Sequence, residues 1–337
     1  MASLLGKVKT DILDKSKKVI GRSILFSAYP VNGFWKFEDS FFPCSISGDA
    51  RRPENFRAGC CPFLIEFPVV DSQNLSIRSH RIASKAQGLS LFLNAMFECR
   101  ITMPNNFQNR WLLSNLFGPT HERSQEGNDD SDFQQLQELF SDCNLLPPLK
   151  LVNHGDYFKQ SGFQEGREPQ LPDTLAQLFK AYIHLDQKSQ SKFTRAAFWY
   201  RLAQNQDSFT AVFLHLIQCI AALLPPAESE EFCRDCNRTF GKGQTQRFVE
   251  FLDELVPPSQ EFGKARRKLY KLRSDLTHGW DILGRDIEGL LASGPKASYQ
   301  TIMMIDAYHL ARIALVNWLI KTFTQTSPGG ESVLPLA

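Results

Sequence analysis

A stripe of apolar residues at helical spacing constrains the fold of this sequence more than any other feature. Its members recur every three or four residues and therefore share one side of a helix: they are Val212, Phe213, Leu216, Ile217, Ile220, Leu223 and Leu224. Pro225 and Pro226 follow at once, and proline in a helix interior removes a hydrogen bond and clashes with the preceding turn. The sequence thus predicts a helix that ends before Pro225 and buries one continuous face.

The same periodicity recurs from residue 171 to the C-terminal region. Apolar residues are in register at Leu175, Leu178, Phe179 and Ile183, at Phe193, Ala196, Ala197 and Tyr200, and at Leu269, Leu272 and Leu276. A last helix, Ala297 to Phe323, is expected to bury most of Ile302, Ile305, Leu310, Ile313, Val316 and Leu319. Gly279 is expected to cap the helix Gln260 to Thr277. We therefore predict a helical domain over residues 171–325.

The first part of the chain has a different pattern. Runs rich in β-branched and aromatic residues, Phe34 to Ser45, Pro62 to Val70 and Asn74 to Ile82, alternate with turn-forming residues and predict strands. The segment Gly88 to Arg100 fits a buried helix or a buried strand. We predict an α+β fold, in which a β-rich mixed N-terminal domain, residues 1–165, precedes an all-α helical bundle, with a polar linker from Gln160 to Glu168.

Composition limits the class of protein. The 337 residues exceed one average domain, and 42% hydrophobic residues supply a sizeable core. A formal charge of +2 is too small for a protein that is basic overall, so any basic surface must be local. The segment Met1 to Ser23 lacks a signal-peptide pattern and no run of about 18 apolar residues occurs. With eight scattered Cys, this favours reduced thiols, a cytoplasmic location and no membrane association.

The segment Lys271 to Gly279, KLRSDLTHG, contains the most informative pair of side chains. Arg273 can hold a phosphate, and His278 has a side chain that passes protons near neutral pH. Such groups suffice to cut RNA without a metal, because an imidazole activates the ribose 2′-OH or protonates the leaving oxygen while a guanidinium neutralises the phosphorane. The alternative is a surface Arg and a helix-capping His, since this spacing also occurs by chance.

Cations cluster on the same helix. Besides Arg273, they are Lys264, Arg266, Arg267, Lys268 and Lys271. Because Leu269, Leu272 and Leu276 mark the packed side, the cations are expected to line the opposite side as an RNA-binding phosphate track. A solvated helix face is the alternative interpretation.

Cys233 and Cys236 form a CxxC turn that could supply two thiolates to zinc. A structural zinc site needs four ligands, and the sequence has no second CxxC. We therefore prefer reduced thiols at Cys233 and Cys236, and we expect no metal and no cofactor.

The C-terminal half resembles the HEPN superfamily, specifically proteins with an Apea-like HEPN domain. The resemblance rests on ordered features: Phe193 to Tyr200, the apolar helix Ser208 to Leu224, the Cys233 to Cys236 turn, Leu269 to Gly279, and the last helix with Ala311 and Arg312. It implies a bundle of four or five helices that forms a homodimer and joins two R-x4-6-H elements across the two-fold axis. Arg273 and His278 match that element.

The resemblance also implies a function, namely an RNA-targeting, metal-independent endoribonuclease of a toxin or antiviral-defence type, in which the first domain senses a trigger of unknown nature. One position departs from the family pattern: Ala221 stands where many relatives carry a Glu. If that carboxylate orients the motif Arg, this protein binds RNA without cutting it efficiently. A non-catalytic HEPN dimerisation module or RNA-binding adaptor is therefore the alternative.

Overall fold

The computed structural model describes residues 18–27, 42–45, 61–97, 101–102, 150–159, 170–226, 231–233, 238–240, 243–256, 265–288 and 294–326. Spatial contacts divide the chain into two compact units that interleave along the sequence. The first comprises Met1–Leu93, Cys99–Leu151 and Glu168–Leu171, and the second Asn94–Glu98, Val152–Arg167 and Pro172–Ala337. The sequence predicted one boundary between two domains, near residue 165, whereas each unit defined by the contacts consists of three segments of the chain.

Four strands and the first 19 residues of one long helix make up most of the described part of the first unit. The strands are β1 (Lys18–Ser27), β2 (Phe42–Ser45), β3 (Cys61–Val70) and β4 (Ile101–Thr102), and helix α1 spans Leu75–Met96. The strands form an antiparallel sheet in the order β2-β3-β1-β4, with Lys18 opposite Val70 and Ser27 opposite Cys61. Alternate residues of β3, namely Ile65, Phe67 and Val69, are buried, as one face of a strand requires.

The predicted fold class, with a β-rich N-terminal domain, is wrong, because helices account for most of the described residues. The predicted strand Asn74 to Ile82 is instead the start of the 22-residue α1. Asn74 begins this helix, since its side-chain oxygen accepts a hydrogen bond from the Ile77 N–H at 3.3 Å. The helix continues through Met96, which decides the ambiguous segment after Gly88 in favour of helix.

The remaining elements follow from residue 150. They are β5 (Lys150–Val152), α2 (His154–Lys159), β6 (Gln170–Pro172), α3 (Leu175–Ile183), α4 (Gln187–Gln204), α5 (Phe209–Leu223), β7 (Glu231–Cys233), β8 (Arg238–Phe240), α6 (Gln244–Leu255), α7 (Ala265–Thr277), α8 (Gly284–Glu288) and α9 (Pro295–Thr326). Strand β5 pairs with β6, and β7 pairs with β8. Within the described ranges, no helix is long and apolar enough to cross a membrane.

Helix α5 is the centre of the second unit and packs against α4, α7 and α9. The predicted stripe is confirmed at six of its seven positions, since Val212, Phe213, Leu216, Ile217, Ile220 and Leu223 are buried, whereas Leu224 is half-buried. The helix ends at Leu223, before the two prolines. The prediction that α9 buries most of its six apolar positions is confirmed, since Leu310, Ile313, Val316 and Leu319 are buried; Ile302 is 54% exposed and Ile305 47% exposed. Residues 309–320 are all buried.

A polar cluster is buried in the second unit. His154 is buried and its Nδ1 lies 2.6 Å from Thr174 Oγ1, while its Nε2 has no hydrogen-bond partner among the described residues. The guanidinium of Arg312 lies over the rings of Tyr157 and Phe158, at 4.7 and 4.9 Å. Burial lowers the pKa of His154, and the charge of Asp173 acts in the opposite direction. The neutral imidazole is therefore the form that fits this core.

Candidate functional site

Helix α7 carries the predicted site and has two chemically distinct sides. Leu269, Leu272 and Leu276 are buried, because their three- and four-residue spacing places them on the side that packs against α5, α6 and α9. Exposed cations occupy other positions of the same helix: they are Arg267, Lys268 and Lys271. The Lys268 ammonium lies 5.7 Å from the ring centre of Tyr299. The accessible surface of α7 is thus locally basic.

Arg266 does not belong to that surface. Its side chain is fully buried, forms an ion pair with Asp253, and donates from Nη2 to the carbonyl oxygen of Val256. The prediction that Arg266 contacts RNA is wrong, since no phosphate can reach a guanidinium in this position. Spacing could have revealed this, because Arg266 precedes Leu269 by three residues and so lies on the packed side. Lys264 lies outside the described residues.

The end of α7 holds His278 in a defined turn. The Gly279 N–H donates to the Leu276 carbonyl at 3.2 Å, and the Trp280 N–H donates to the Asp275 carbonyl at 2.9 Å. Gly279 has φ of 72°, a conformation that residues with a Cβ rarely adopt. These are the features of a Schellman motif, and they confirm the predicted role of Gly279. The motif places His278 at the C-terminal cap with its side chain exposed.

The His278 ring lies beside an indole. The centres of the His278 and Trp280 rings are 5.1 Å apart and the ring planes differ by 31°. Trp280 is 76% exposed, so the pair stands in solvent. An exposed imidazole with one neighbouring ring can exchange protons with a bound ligand.

Arg273 is partly buried and rests on an aromatic platform. Its guanidinium carbon lies 5.6 Å from the ring centre of Tyr270. The Tyr270 hydroxyl donates to Gln244 Oε1 at 3.1 Å, and its ring lies 5.1 Å from that of Phe248 on α6. Among the described residues, no carboxylate pairs with the Arg273 guanidinium. Its donors therefore remain available for an anion.

Arg273 and His278 do not meet within one chain in the described structure, since neither a hydrogen bond nor a ring contact joins them. Five residues turn an α-helix by about 500°, which leaves the two side chains about 140° apart. The local departure from helical geometry at Gly279 turns the backbone after His278 and does not bring His278 onto the Arg273 side. A single chain therefore presents the two groups on different sides of α7.

The predicted CxxC turn is described only in part. Cys233 is the last residue of β7 and stands opposite Arg238 of β8, whereas Cys236 lies outside the described residues. Within the ranges that the structure describes, no group of three His, Cys, Asp or Glu side chains could hold a metal ion.

Asp286 stabilises the segment that follows His278, and the sequence analysis did not predict this role. From α8 its carboxylate accepts hydrogen bonds from the Ser208 hydroxyl and from the N–H groups of Phe209 and Thr210, at 2.9, 2.7 and 2.7 Å. These donors lie at the N-terminus of α5, where helix N–H groups lack partners within the helix. Burial opposes ionisation, but the hydrogen bonds outweigh it and lower the pKa of Asp286. Asp286 thus ties the segment after His278 to α5.

The comparison with known proteins adds no relative: no protein-family model, no curated protein and no solved structure matches the chain.

Proposed function

We propose that this protein targets RNA as a HEPN-type protein and that His278 and Arg273 support metal-independent cleavage of the strand. The observation that carries the proposal is that one helix presents an exposed imidazole at its end together with a guanidinium that no described carboxylate neutralises. Arg266, by contrast, is neutralised by Asp253. Arg273 and His278 are instead free to serve a ligand.

The chemistry is an internal displacement at phosphorus. The ribose 2′-oxygen attacks the adjacent phosphate, the bond from phosphorus to the 5′-oxygen breaks, and a 2′,3′-cyclic phosphate remains. An imidazole takes the proton from the 2′-hydroxyl and an imidazolium returns one to the leaving 5′-oxygen, while a guanidinium stabilises the charge on the phosphorane. His278 supplies the proton-transfer group and Arg273 the charge.

A base and an acid that act at the same time are two separate imidazoles, and one chain supplies only one. We therefore propose a homodimer with a two-fold axis near α7, the commonest closed arrangement for a soluble oligomer. The separation of Arg273 and His278 supports this, because a partner's copy of the helix can complete the pair. Exposed Ile302 and Ile305 on α9 provide apolar surface for such an interface. Sedimentation that shows only monomer at micromolar concentration would contradict it.

The proposed setting is the cytoplasm, where the first unit senses a trigger and the second unit acts as a toxin or antiviral-defence effector. Cys219 is consistent with a reducing compartment, since it is a buried free thiol. Burial raises the pKa of the Cys219 thiol, which keeps the sulfur protonated and unreactive.

The second candidate is a non-catalytic HEPN module that dimerises or binds RNA as an adaptor. One observation favours it: Ala221, in the last turn of α5, supplies no carboxylate. In this case the basic surface binds phosphate and no strand is cut.

Incubation of the purified full-length chain with mixed RNA in EDTA separates the two candidates. The enzyme requires cleavage that persists without divalent metal and falls by about 10²–10⁴-fold in His278→Ala, with a comparable loss in Arg273→Ala. His184→Ala is the matched control, because His184 is also an exposed histidine at a helix C-terminus, with Nδ1 2.8 Å from the Lys180 carbonyl oxygen. Binding without cleavage supports the adaptor, and cleavage that His278→Ala leaves unchanged excludes the mechanism.

A further inference from the structure

Trp280 has an unusual environment for a large apolar side chain. It is 76% exposed, the largest fraction among the described large hydrophobic residues that face solvent. Burial of such a side chain usually stabilises a fold, because it removes a large apolar area from water. Trp280 contributes little of this to the fold, so its exposed ring is free for a ligand.

The backbone holds Trp280 in a fixed position. Its N–H donates to the Asp275 carbonyl at 2.9 Å, and Gly279 before it provides the left-handed turn. The His278 ring lies 5.1 Å away at 31° on one side. The indole is therefore anchored at its backbone and supported by an imidazole, which leaves much of its surface open to a planar partner.

Positive charge extends from this ring along α7. At 100° per residue, Arg267, Lys271 and His278 fall within about 40° of one another and form one row. The side chains of Arg267 and Lys271 are exposed, and no described carboxylate pairs with them. A row of cations that ends at an exposed aromatic ring combines the two elements that bind single-stranded nucleic acid, namely attraction for the backbone and a surface for base stacking.

The acidic groups nearby do not cancel this charge. Asp281 follows Trp280 in sequence, but its carboxylate pairs with the Lys296 ammonium at 3.1 Å. Asp275, one helical turn after Lys271, forms no ion pair with it in the described structure, and the cations of α7 outnumber this single carboxylate. A phosphate strand can therefore approach the ring from the Lys271 side.

We propose that Trp280 stacks against an unpaired base, so that the substrate class of this site is single-stranded RNA. The inference rests on the proposed function and specifies its substrate. In an A-form duplex every base is already stacked and paired, so the indole cannot reach a base face.

The test compares binding of two probes to the full-length protein. The first probe is a short mixed-sequence oligoribonucleotide with 2′-O-methyl groups, which cannot be cleaved through the 2′-oxygen, and the second is the same strand annealed to its complement. Trp280→Ala should weaken binding of the single strand by about 5- to 150-fold and leave duplex binding unchanged, whereas Trp280→Phe should retain most of the affinity. Thermal unfolding should change little, because the side chain is exposed.

Two further variants separate stacking from charge. Lys271→Ala should weaken binding of both probes and reduce the slope of log K against log salt by about 1, whereas Trp280→Ala should leave that slope unchanged. Ile282→Ala is the matched apolar control, since Ile282 is 50% exposed and lies two residues away, and it should have no effect.

The outcomes distinguish this inference from the proposed function. If the wild-type chain binds neither probe, the proposed RNA-targeting function fails and the inference fails with it. If the wild-type chain binds RNA but Trp280→Ala has the same effect on both probes, or none on either, RNA targeting stands and stacking is excluded. If Trp280→Ala changes the sedimentation of the free protein and not its affinity for the single strand, the indole contacts protein and the inference is overturned.

Discussion

Replacing Asp286 with Ala should loosen the segment that follows His278 and destabilise the second unit. The carboxylate accepts three hydrogen bonds, from the Ser208 hydroxyl and the Phe209 and Thr210 N–H groups, at 2.7–2.9 Å. Loss of an acceptor at a helix N-terminus costs about 1 kcal/mol, and loss of a negative charge there adds about 0.3–1 kcal/mol. Because Asp286 is exposed, solvent screening keeps the total near about 1–2 kcal/mol.

Thermal unfolding of the full-length protein measures this effect. For a cooperative unit of about 150–250 residues, the expected loss corresponds to a fall in Tm of about 2–8 °C. Asp207→Ala is the matched control, because Asp207 is also an exposed acid near the start of α5 but makes no hydrogen bond there in the described structure. Asp286→Asn should lower the free energy of unfolding less than Asp286→Ala does, since the amide oxygen still accepts a hydrogen bond from one of the donors.

The pH dependence gives a second measurement with a definite sign. The pKa of Asp286 is lowered in the folded protein from its ordinary value of 3.8. The carboxylate therefore stabilises the fold above about pH 4, and this contribution disappears as pH falls through the folded-state pKa. The stability difference between wild type and Asp286→Ala should be full at neutral pH and shrink below about pH 4. Equal losses in Asp207→Ala, or a difference that does not depend on pH, would refute the reasoning.

Three further predictions concern the same unit. Gly279→Ala should lower the free energy of unfolding by about 1–2 kcal/mol in urea titration, since φ is 72° and the added Cβ meets no atom within 4 Å, so that the cost is purely conformational. Arg266→Ala should lower the free energy of unfolding by about 1.5–3 kcal/mol, whereas Arg267→Ala should lower it by less than about 0.5 kcal/mol. RNA affinity measured by anisotropy should fall in the Arg267 variant and stay unchanged in the folded fraction of the Arg266 variant. Burial holds the pKa of His154 below 6.5, so wild-type stability should fall as pH drops from about 7 to about 5. His154→Gln should flatten this dependence of stability on pH. Parallel slopes in the two proteins would show that His154 is not the group responsible.

The helices of the second unit were predictable because their signals are local. Phe213 and Leu216 belong to a period that any window across α5 reveals, and they are buried as expected. Gly279 was predictable for a similar reason, since glycine after a helical stripe indicates a left-handed cap. Each of these signals lies within about one or two helical turns.

The predictions failed where a local pattern was ambiguous. In Asn74 to Ile82, Leu75 and Ile77 alternate with polar residues and suggested a strand. Leu75 is exposed, however, and the buried side of α1 begins at Ile82 and continues through Ala86 and Leu89, so the helical period extends past this short segment. The capping signal of Asn74 was available in the sequence and favours helix.

Other features depend on contacts that no local pattern shows. Asp286 accepts its hydrogen bonds from Ser208, Phe209 and Thr210, which lie 76 to 78 positions earlier in the chain. The residues next to Asp286 in sequence therefore do not indicate its role. The burial of Arg266 depends on Asp253, 13 residues away, although its spacing to Leu269 offered a partial signal. The exposure of Ile302 likewise depends on which part of α9 other helices cover, and the spacing of apolar residues within α9 does not show this.

Helix α9 is a single 32-residue element whose two halves differ in protection from water. Residues 309–320 are buried on all sides, so their amide hydrogens should exchange with deuterium only when the whole unit unfolds. The first half has exposed side chains and should open locally. Such opening would release the hydrogen bond from the Gly284 N–H to Gln300 Oε1, which measures 2.8 Å and joins α9 to α8. Deuterium uptake should therefore rise together in α8 and in the first half of α9, while uptake in residues 309–320 lags behind.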